Sequence, residues 1–201
     1  MYAFAETRRD GGVDTSRPLI FTFHGTGGTE QQFHTWAQKL LPDATVISPR
    51  GDVSEGGALR FFKRRGEGNY DMEDLAARTA AMAAFMAQQI ERLKPSQVLA
   101  LGYSNGANIL ASVMLDQPGL VDKAALMHPL IPWTPEPQPG LEGRAVLVTA
   151  GTNDPICPPN FSEALIQYFE ANGVAVEQHW FDSGHGVSQD EANTVSAFIS
   201  A

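Results

Sequence analysis

The amino-acid sequence predicts an α/β fold, in which a mostly parallel β-sheet carries helices on both faces. Two observations lead to this prediction. Short apolar runs of strand character alternate with longer segments of helical spacing, which is the pattern of strand–helix units. The 201 residues, of which 43% are hydrophobic and 18% charged, are also enough to bury one substantial core. Because no repeat or boundary interrupts the pattern, we expect a single domain spanning residues 1–201.

Seven runs predict the strands, because they are short, apolar and rich in β-branched or aromatic residues. The first run alternates only weakly and is expected at an edge of the sheet, with a turn at Asp10-Gly11-Gly12 after it. The runs are 2–6, 18–23, 44–48, 97–101, 121–127, 144–149 and 174–181.

Five segments between the strands have helical spacing, so that each presents one apolar face to the sheet. Thr29 and Gln32 have the pattern of a capping box at the start of the first helix. Asp71 is expected to cap a long second helix, and Ser188 to begin the last. The segments start near residues 29, 71, 105, 162 and 188.

Two stretches have no regular period. Residues 51–70 contain five glycines, which favours a long functional or mobile loop. Residues 129–139 contain five prolines, which bar regular structure. Because Leu130, Ile131 and Trp133 are too apolar for a solvated linker, we expect an ordered loop there, at the rim of a site.

The motif Gly102-Tyr103-Ser104-Asn105-Gly106 lies at the junction of a predicted strand and helix. A strand-to-helix turn this tight needs small residues two positions before and two positions after its serine. The turn strains the backbone at Ser104 and projects its hydroxyl above the carboxyl edge of the sheet. The motif therefore predicts a nucleophile elbow, while a glycine-rich turn with a helix-capping serine is the structural alternative.

A serine nucleophile needs a base, and the base needs a third group that fixes its tautomer. Asp154 and His185 each follow a predicted strand, so the topology of the sheet brings them to the same edge as Ser104. We therefore predict Ser104 as nucleophile, His185 as base and Asp154 as the orienting acid, although Asp154-Pro155 could also be a plain turn. The other histidines fit less well, because His24 belongs to a glycine-rich loop and His128 is followed by a stiffening proline.

The glycine-rich loop His24-Gly25-Thr26-Gly27-Gly28 follows the second predicted strand. It can supply a backbone amide to a developing oxyanion, and we predict the N–H groups of Thr26 and Asn105 as the oxyanion hole. Glycines before a helix can also bind phosphate. However, the loop lacks both the lysine-serine or lysine-threonine ending of a P-loop and the G-x-G-x-x-G spacing.

Taken with Ser48-Pro49-Arg50-Gly51 and Gly151-Thr152-Asn153-Asp154-Pro155-Ile156, these motifs resemble the phospholipase/carboxylesterase family of small α/β-hydrolases across most of the chain. Arg60-Phe61-Phe62 makes the sequence most similar to bacterial carboxylesterases associated with hydroquinone and quinone stress. The resemblance implies an α/β-hydrolase fold and the triad and oxyanion roles given above. The acyl-protein thioesterase branch fits less well, because Arg60-Phe61-Phe62 replaces its Trp-Phe-Asp segment.

The sequence predicts a serine carboxylesterase that cleaves small esters through an acyl-enzyme on Ser104, without a cofactor or a metal. Thioester or lactone hydrolysis on the same triad, or non-catalytic binding of a small molecule, are the alternatives. No insertion is long enough for a full cap domain, so we expect an open, apolar cleft. Its expected walls are Phe61, Phe62, Leu130, Ile131, Ile156 and Cys157. The basic residues within 60–65 either form a solvated face or a salt-bridged loop, or recognise an acidic substrate group.

The bulk composition argues against several partners. The net charge is −9, with acids and bases interspersed, so nucleic acid is not expected to bind. No apolar run approaches the roughly 18 residues of a membrane span, and the N-terminus lacks the apolar core of a signal peptide. We therefore expect a cytoplasmic protein that does not bind a membrane. Cys157 is the only cysteine, which excludes an internal disulfide, and an exposed edge element could form a homodimer.

Overall fold

The computed structural model describes residues 2–8 and 14–201, so the predicted turn at Asp10-Gly11-Gly12 lies outside the described residues. The described residues form eleven strands and five α-helices. The strands are β1 (Phe4–Thr7), β2 (Leu19–Phe23), β3 (Thr45–Pro49), β4 (Val53–Glu55), β5 (Ala58–Arg60), β6 (Arg64–Gly66), β7 (Asn69–Tyr70), β8 (Val98–Tyr103), β9 (Lys123–Met127), β10 (Ala145–Gly151) and β11 (Ala175–Phe181). The helices are α1 (His34–Leu40), α2 (Met72–Leu93), α3 (Asn105–Asp116), α4 (Pro159–Ala171) and α5 (Gln189–Ser200).

Seven of the strands form one sheet in the spatial order β1-β3-β2-β8-β9-β10-β11. Every neighbouring pair is parallel except β1 and β3, which are antiparallel. The prediction of a mostly parallel α/β sheet is confirmed, and the weakly alternating first strand lies at its edge. The carboxyl ends of β2, β8, β9, β10 and β11 share one edge of the sheet, so the loops that leave them are neighbours.

The sheet has a hydrophobic core on each face, because successive side chains of a strand point to opposite sides. In β2, Leu19, Phe21 and Phe23 belong to the larger core, and Ile20 belongs to the smaller one. The apolar faces of α2, α3 and α4 complete the larger core. Those of α1 and α5 complete the smaller core. Within the described residues, no helix is both long and apolar enough to cross a membrane.

Two of the three residues expected at helix starts, Asp71 and Ser188, cap their helices, and Thr29 does not. The Asp71 side chain accepts a hydrogen bond from the N–H of Asp74 at the start of α2, and Ser188 accepts one from Glu191 at the start of α5. The capping box predicted at Thr29 is wrong, because α1 begins only at His34 and has no side-chain cap. Instead, Gln32 Oε1 accepts the N–H of Gly25 at 2.9 Å, which fixes the glycine-rich loop.

The stretch 51–70 is not irregular, as the sequence suggested, but forms two β-hairpins. Strands β4 and β5 pair antiparallel, and so do β6 and β7. Positive φ angles at Gly56, Gly57 and Gly68 allow the tight reversals. Pairs of strands two or three residues long are too short to show a period in the sequence.

Gly102 and Gly106 allow β8, α3 and β2 to come into backbone contact at the elbow. A Cβ atom on Gly106 would lie 2.4 Å from the carbonyl oxygen of Phe23, and one on Gly102 would lie 2.7 Å from the carbonyl oxygen of Gly106 itself. Both distances are well below van der Waals contact, and both neighbours are backbone atoms that cannot rotate away. The elbow therefore requires hydrogen at both positions.

We expect Gly106→Ala to lower the free energy of unfolding by about 1–3 kcal/mol or more, because overpacking against fixed backbone forces α3 away from β2. Urea unfolding monitored by circular dichroism measures the change. Gly119→Ala is the control, since a Cβ atom there meets nothing within 4 Å. Equal stability of the two variants would contradict the close approach at the elbow.

Candidate active site

Ser104 occupies the corner between β8 and α3 in the strained conformation that the motif predicts. Its backbone angles are φ 52° and ψ −119°, a combination that residues other than glycine rarely adopt. The N–H of Ser104 donates to the carbonyl oxygen of Met127 at 2.8 Å, which ties the corner to the neighbouring strand β9. The hydroxyl consequently faces the loops at the carboxyl edge of the sheet.

The structure brings Ser104, His185 and Asp154 into one hydrogen-bonded chain. His185 Nε2 lies 2.8 Å from Ser104 Oγ, and His185 Nδ1 lies 2.7 Å from Asp154 Oδ2. The hydroxyl of Tyr103 donates to the carbonyl oxygen of His185 at 2.7 Å and holds the histidine loop in place. With Nδ1 donating to the carboxylate, Nε2 is the nitrogen that can accept the serine proton.

Asp154 is an anion without an exposed side-chain surface. Burial would raise the pKa of Asp154, but the N–H groups of Cys157 and Ile156 and two imidazole rings outweigh it and lower the pKa below its usual value. The two amides donate to Oδ1 at 3.0 and 2.8 Å. One of the two rings belongs to His185, and the other was not anticipated.

The second ring is that of His128, which the sequence argument set aside. It follows β9 directly, with Nδ1 2.8 Å from Asp154 Oδ2 and Nε2 3.2 Å from Glu191 Oε2. None of these three side chains is exposed. The rule that selected Asp154 and His185, a position directly after a strand at the carboxyl edge, applies equally to His128. Pro129 after it obscured that signal.

The backbone amides of Thr26 and Asn105 have no acceptor among the described residues. Their neighbours are occupied: the N–H of Gly25 donates to Gln32, and that of Gly27 to the carbonyl oxygen of Leu59. Thr26 and Asn105 both line the cavity that contains Ser104. Both residues of the predicted oxyanion hole therefore border the cavity, and the role of their amides stays a prediction.

The cavity around Ser104 has a volume of about 290 Å³. Of the predicted walls, Leu130, Ile156 and Cys157 line it. Burial raises the pKa of the Cys157 thiol, which keeps this group protonated. The remaining side chains of the lining are polar or charged for the most part: Thr26, Arg60, Arg64, Glu67, Tyr70, Tyr103, Asn105, Asn108 and His185.

Phe61 and Phe62 do not form cavity walls, which corrects the sequence-based expectation. Both are fully buried, Phe61 against Phe23 with ring centroids 5.7 Å apart and Phe62 against Tyr70 at 4.8 Å. Ile131 likewise lies in the larger core and not in the lining. Phe61 and Phe62 lie between the hairpin β4–β5 and the hairpin β6–β7, and their side chains belong to the larger core.

The basic residues within 60–65 divide into two groups. Arg60 is only 3% exposed, lines the cavity and donates from Nη1 to Thr26 Oγ1 at 2.6 Å. Arg64 also lines the cavity and pairs with Glu55 at 3.0 Å. The Lys63 and Arg65 side chains are 60% and 73% exposed. All four basic residues of the segment lie within salt-bridge distance of a carboxylate, which agrees with a salt-bridged loop. Recognition of an acidic substrate group stays a prediction.

His128, Asp154 and His185 each offer a ligand atom, and these atoms lie within 4.8 Å of one another. Imidazole and carboxylate groups are suitable zinc ligands. Here, however, both His128 nitrogens and His185 Nδ1 already face carboxylate oxygens at hydrogen-bond distance. These three nitrogen atoms are thus engaged in a hydrogen-bonded network with the carboxylates.

Comparison with known proteins gives consistent matches. The model of the dienelactone hydrolase family matches residues 61–199. MhqD of Bacillus subtilis (strain 168), named as a hydrolase, is 37% identical over 180 residues, which are 89% of this chain and 90% of that protein.

Solved structures are similar over almost the whole chain. Atu2452 from Agrobacterium tumefaciens str. C58, described as of unknown function, is 45% identical with a TM-score of 0.91, covering 98% of this chain and 95% of its own. A Bacillus cereus carboxylesterase is 36% identical with a TM-score of 0.91, covering 99% and 93%. A carboxylesterase from Mesorhizobium loti is 32% identical with a TM-score of 0.82, covering 92% and 88%.

Tyr70 joins the cavity to the proline-rich loop. Its hydroxyl donates to the carbonyl oxygen of Leu130 at 2.9 Å and accepts from Asn108 Nδ2 at 2.8 Å. We expect Tyr70→Phe to cost about 1–3 kcal/mol of stability, because both partners lose a buried hydrogen bond. Thermal and urea unfolding measure the loss.

Tyr168→Phe is the matched control, because the hydroxyl of Tyr168 donates to the backbone carbonyl oxygen of Glu136 at an exposed position where water can replace it. A Tyr70→Phe variant as stable as Tyr168→Phe would show that the cavity wall does not depend on this pair of hydrogen bonds.

Proposed function

This chain belongs to the dienelactone hydrolase family and is a hydrolase, and from this we propose that it cleaves small carboxylic esters through an acyl-enzyme on Ser104. The resemblance to small α/β-hydrolase carboxylesterases is confirmed, as is the α/β-hydrolase fold. The observation that carries the proposal is the continuous chain from Ser104 Oγ through His185 to Asp154, at 2.8 and 2.7 Å.

In the proposed first step, Ser104 Oγ attacks the ester carbonyl carbon while His185 Nε2 takes the hydroxyl proton. The carbonyl oxygen becomes an anion and accepts the N–H groups of Thr26 and Asn105. When the tetrahedral intermediate collapses, His185 gives its proton to the leaving alkoxide. The alcohol departs and the acyl group stays on Ser104.

In the second step water takes the place of the serine hydroxyl. His185 removes a proton from water, the hydroxide attacks the acyl carbon, and the same two amides stabilise the oxyanion. The proton then returns to Ser104 Oγ as the carboxylic acid leaves. Asp154 stays ionised throughout. Its negative charge stabilises the imidazolium that forms twice in each cycle.

The cavity favours small substrates with polar groups. Its volume of about 290 Å³ is just below the roughly 300–1,000 Å³ range for ligand pockets. Asn105 Oδ1 accepts the N–H of Phe61, but its buried Nδ2 has no partner among the described residues. Among the lining residues, Arg60 offers a positive charge to an oxygen atom of the substrate beyond the reacting ester.

Lactone hydrolysis is a second candidate, since the family model that matches is described as that of dienelactone hydrolases. A lactone is a cyclic ester, so the same attack opens its ring and leaves the alcohol attached to the acyl group. A panel of p-nitrophenyl acetate, δ-valerolactone and a short-chain thioester, compared by kcat/KM, would separate ester, lactone and thioester preference.

We expect Ser104→Ala to lower kcat for p-nitrophenyl acetate by at least ~10³-fold, because no other group forms the acyl-enzyme. A fluorophosphonate probe should label Ser104, as measured by mass spectrometry of the peptides. The control is Ser183→Ala, whose hydroxyl lies in the histidine loop and makes only a 3.5 Å contact with the carbonyl oxygen of Gly184. Wild-type turnover in Ser104→Ala, or label on another residue, would sink the proposal.

The pH dependence follows from the protonation state of the base. We expect kcat/KM to rise from acid toward neutral pH and then to level off, because only neutral His185 can accept the serine proton. Asp154 does not limit this range, since amide and imidazole donors keep its pKa below the usual value. Undiminished activity at about pH 4 would be incompatible with a histidine base.

A further inference from the structure

His128 is a strained residue at the same edge of the sheet as Ser104. Three residues other than glycine have positive φ among those that the structure describes: Lys94, Ser104 and His128. Lys94 is the left-handed C-cap of α2, a common helix ending. His128, with φ 50°, ends no helix. Strain of this kind persists where the surrounding contacts enforce it, most often at functional sites.

The hydrogen bonds of His128 define its protonation. Asp154 Oδ2 is ionised and can only accept, so His128 Nδ1 at 2.8 Å carries a proton. On the far side of the ring, Nε2 lies 3.2 Å from Glu191 Oε2. The other oxygen of Glu191 accepts the hydroxyl of Thr149 at 2.6 Å. Glu191 is thereby held with one carboxylate oxygen facing the ring.

The other groups that face His128 do not cancel the two carboxylates. The His185 ring is 5.2 Å away between centroids, and the Tyr103 ring presents its edge at 6.0 Å. The Cys157 thiol donates a hydrogen bond to the carbonyl oxygen of His128 at 3.2 Å. Burial alone would lower the pKa of His128, but hydrogen bonds and charge attraction from Glu191 and Asp154 outweigh it and raise the pKa.

We propose that His128, held as an imidazolium between Asp154 and Glu191, is a positioning residue that fixes the Asp154 carboxylate and offsets part of its charge. This inference rests on the proposed function, because it assigns a task within the same site. Asp154 must orient His185 without binding its proton so strongly that the base stays charged. A cation on the other side of Asp154 weakens that attraction, so we expect the acid limb of the activity profile to lie at lower pH than it would without the cation.

Glu191 supplies the charge that keeps His128 protonated. It contacts the nitrogen that points away from Asp154, so the imidazolium lies between the two carboxylates, with its ring centroid 5.2 Å from that of His185. The local effect on His185 is consequently dominated by the cation. Removing the Glu191 charge should release the His128 proton and leave the full Asp154 charge acting on His185.

The test is Glu191→Gln, which keeps the shape and the acceptor for Thr149 but replaces the anion with an amide that can donate to His128 Nε2. We expect the acid limb of the kcat/KM profile to move upward by about 0.5–1 pH unit, as expected for the loss of a nearby charge. We expect KM to stay the same. Asp190→Asn is the matched control, because it removes the same charge from an exposed neighbouring position in the first turn of α5.

The protonation state is measured directly by ¹⁵N NMR of the protein labelled at histidine. We expect both His128 nitrogens to carry protons at pH 7 in the wild-type protein and in Ser104→Ala, and only one in Glu191→Gln. Because this readout does not require turnover, it separates this inference from the proposed function: an inactive protein would still report the state of His128.

A neutral His128 at pH 7 in the wild-type protein would overturn the inference. A folded Glu191→Gln variant whose acid limb coincides with that of Asp190→Asn would overturn it as well. Should Glu191→Gln not fold, the double variant His128→Asn with Glu191→Gln removes both members of the charge pair together. It should show the same upward displacement of the acid limb.

Discussion

A carboxylate with no exposed surface must replace its lost hydration by hydrogen bonds, and this requirement on Asp154 organises the site. Its two oxygens take two amides from the chain that follows and two imidazoles from neighbouring loops. To supply them, the loops after β9, β10 and β11 have to converge. The geometry around Ser104 is therefore a consequence of how one buried charge is compensated.

The parts that the sequence predicted depend on period and topology. Strand runs placed Ser104, Asp154 and His185 after strands of one parallel sheet, and such a sheet collects those ends at one edge. The two glycines of the elbow could also be predicted, because the tight turn leaves no room for a side chain at these two positions. Predictions of this kind remain valid in the folded protein because they already describe how neighbouring elements pack.

The parts that the sequence did not predict depend on partners far away in the chain. Gln32 fits a capping box, yet its amide fixes Gly25 in a loop. Glu191 has the ordinary place of an acidic residue in the first turn of a helix, and nothing next to it in the sequence indicates His128, 63 residues away. Phe61 and Phe62 suggested a pocket wall, but the direction of two short hairpins puts them in the core.

The hairpin of β4 and β5 is joined to the glycine-rich loop at two points. Leu59 accepts the N–H of Gly27 at 2.9 Å, and Arg60 donates to the Thr26 side chain. The exposed turn at Gly56-Gly57 would ordinarily be a good place to insert a tag or a second domain. In this protein an insertion there would disturb the amide of Thr26, so an engineered fusion at that turn would impair the site without touching it.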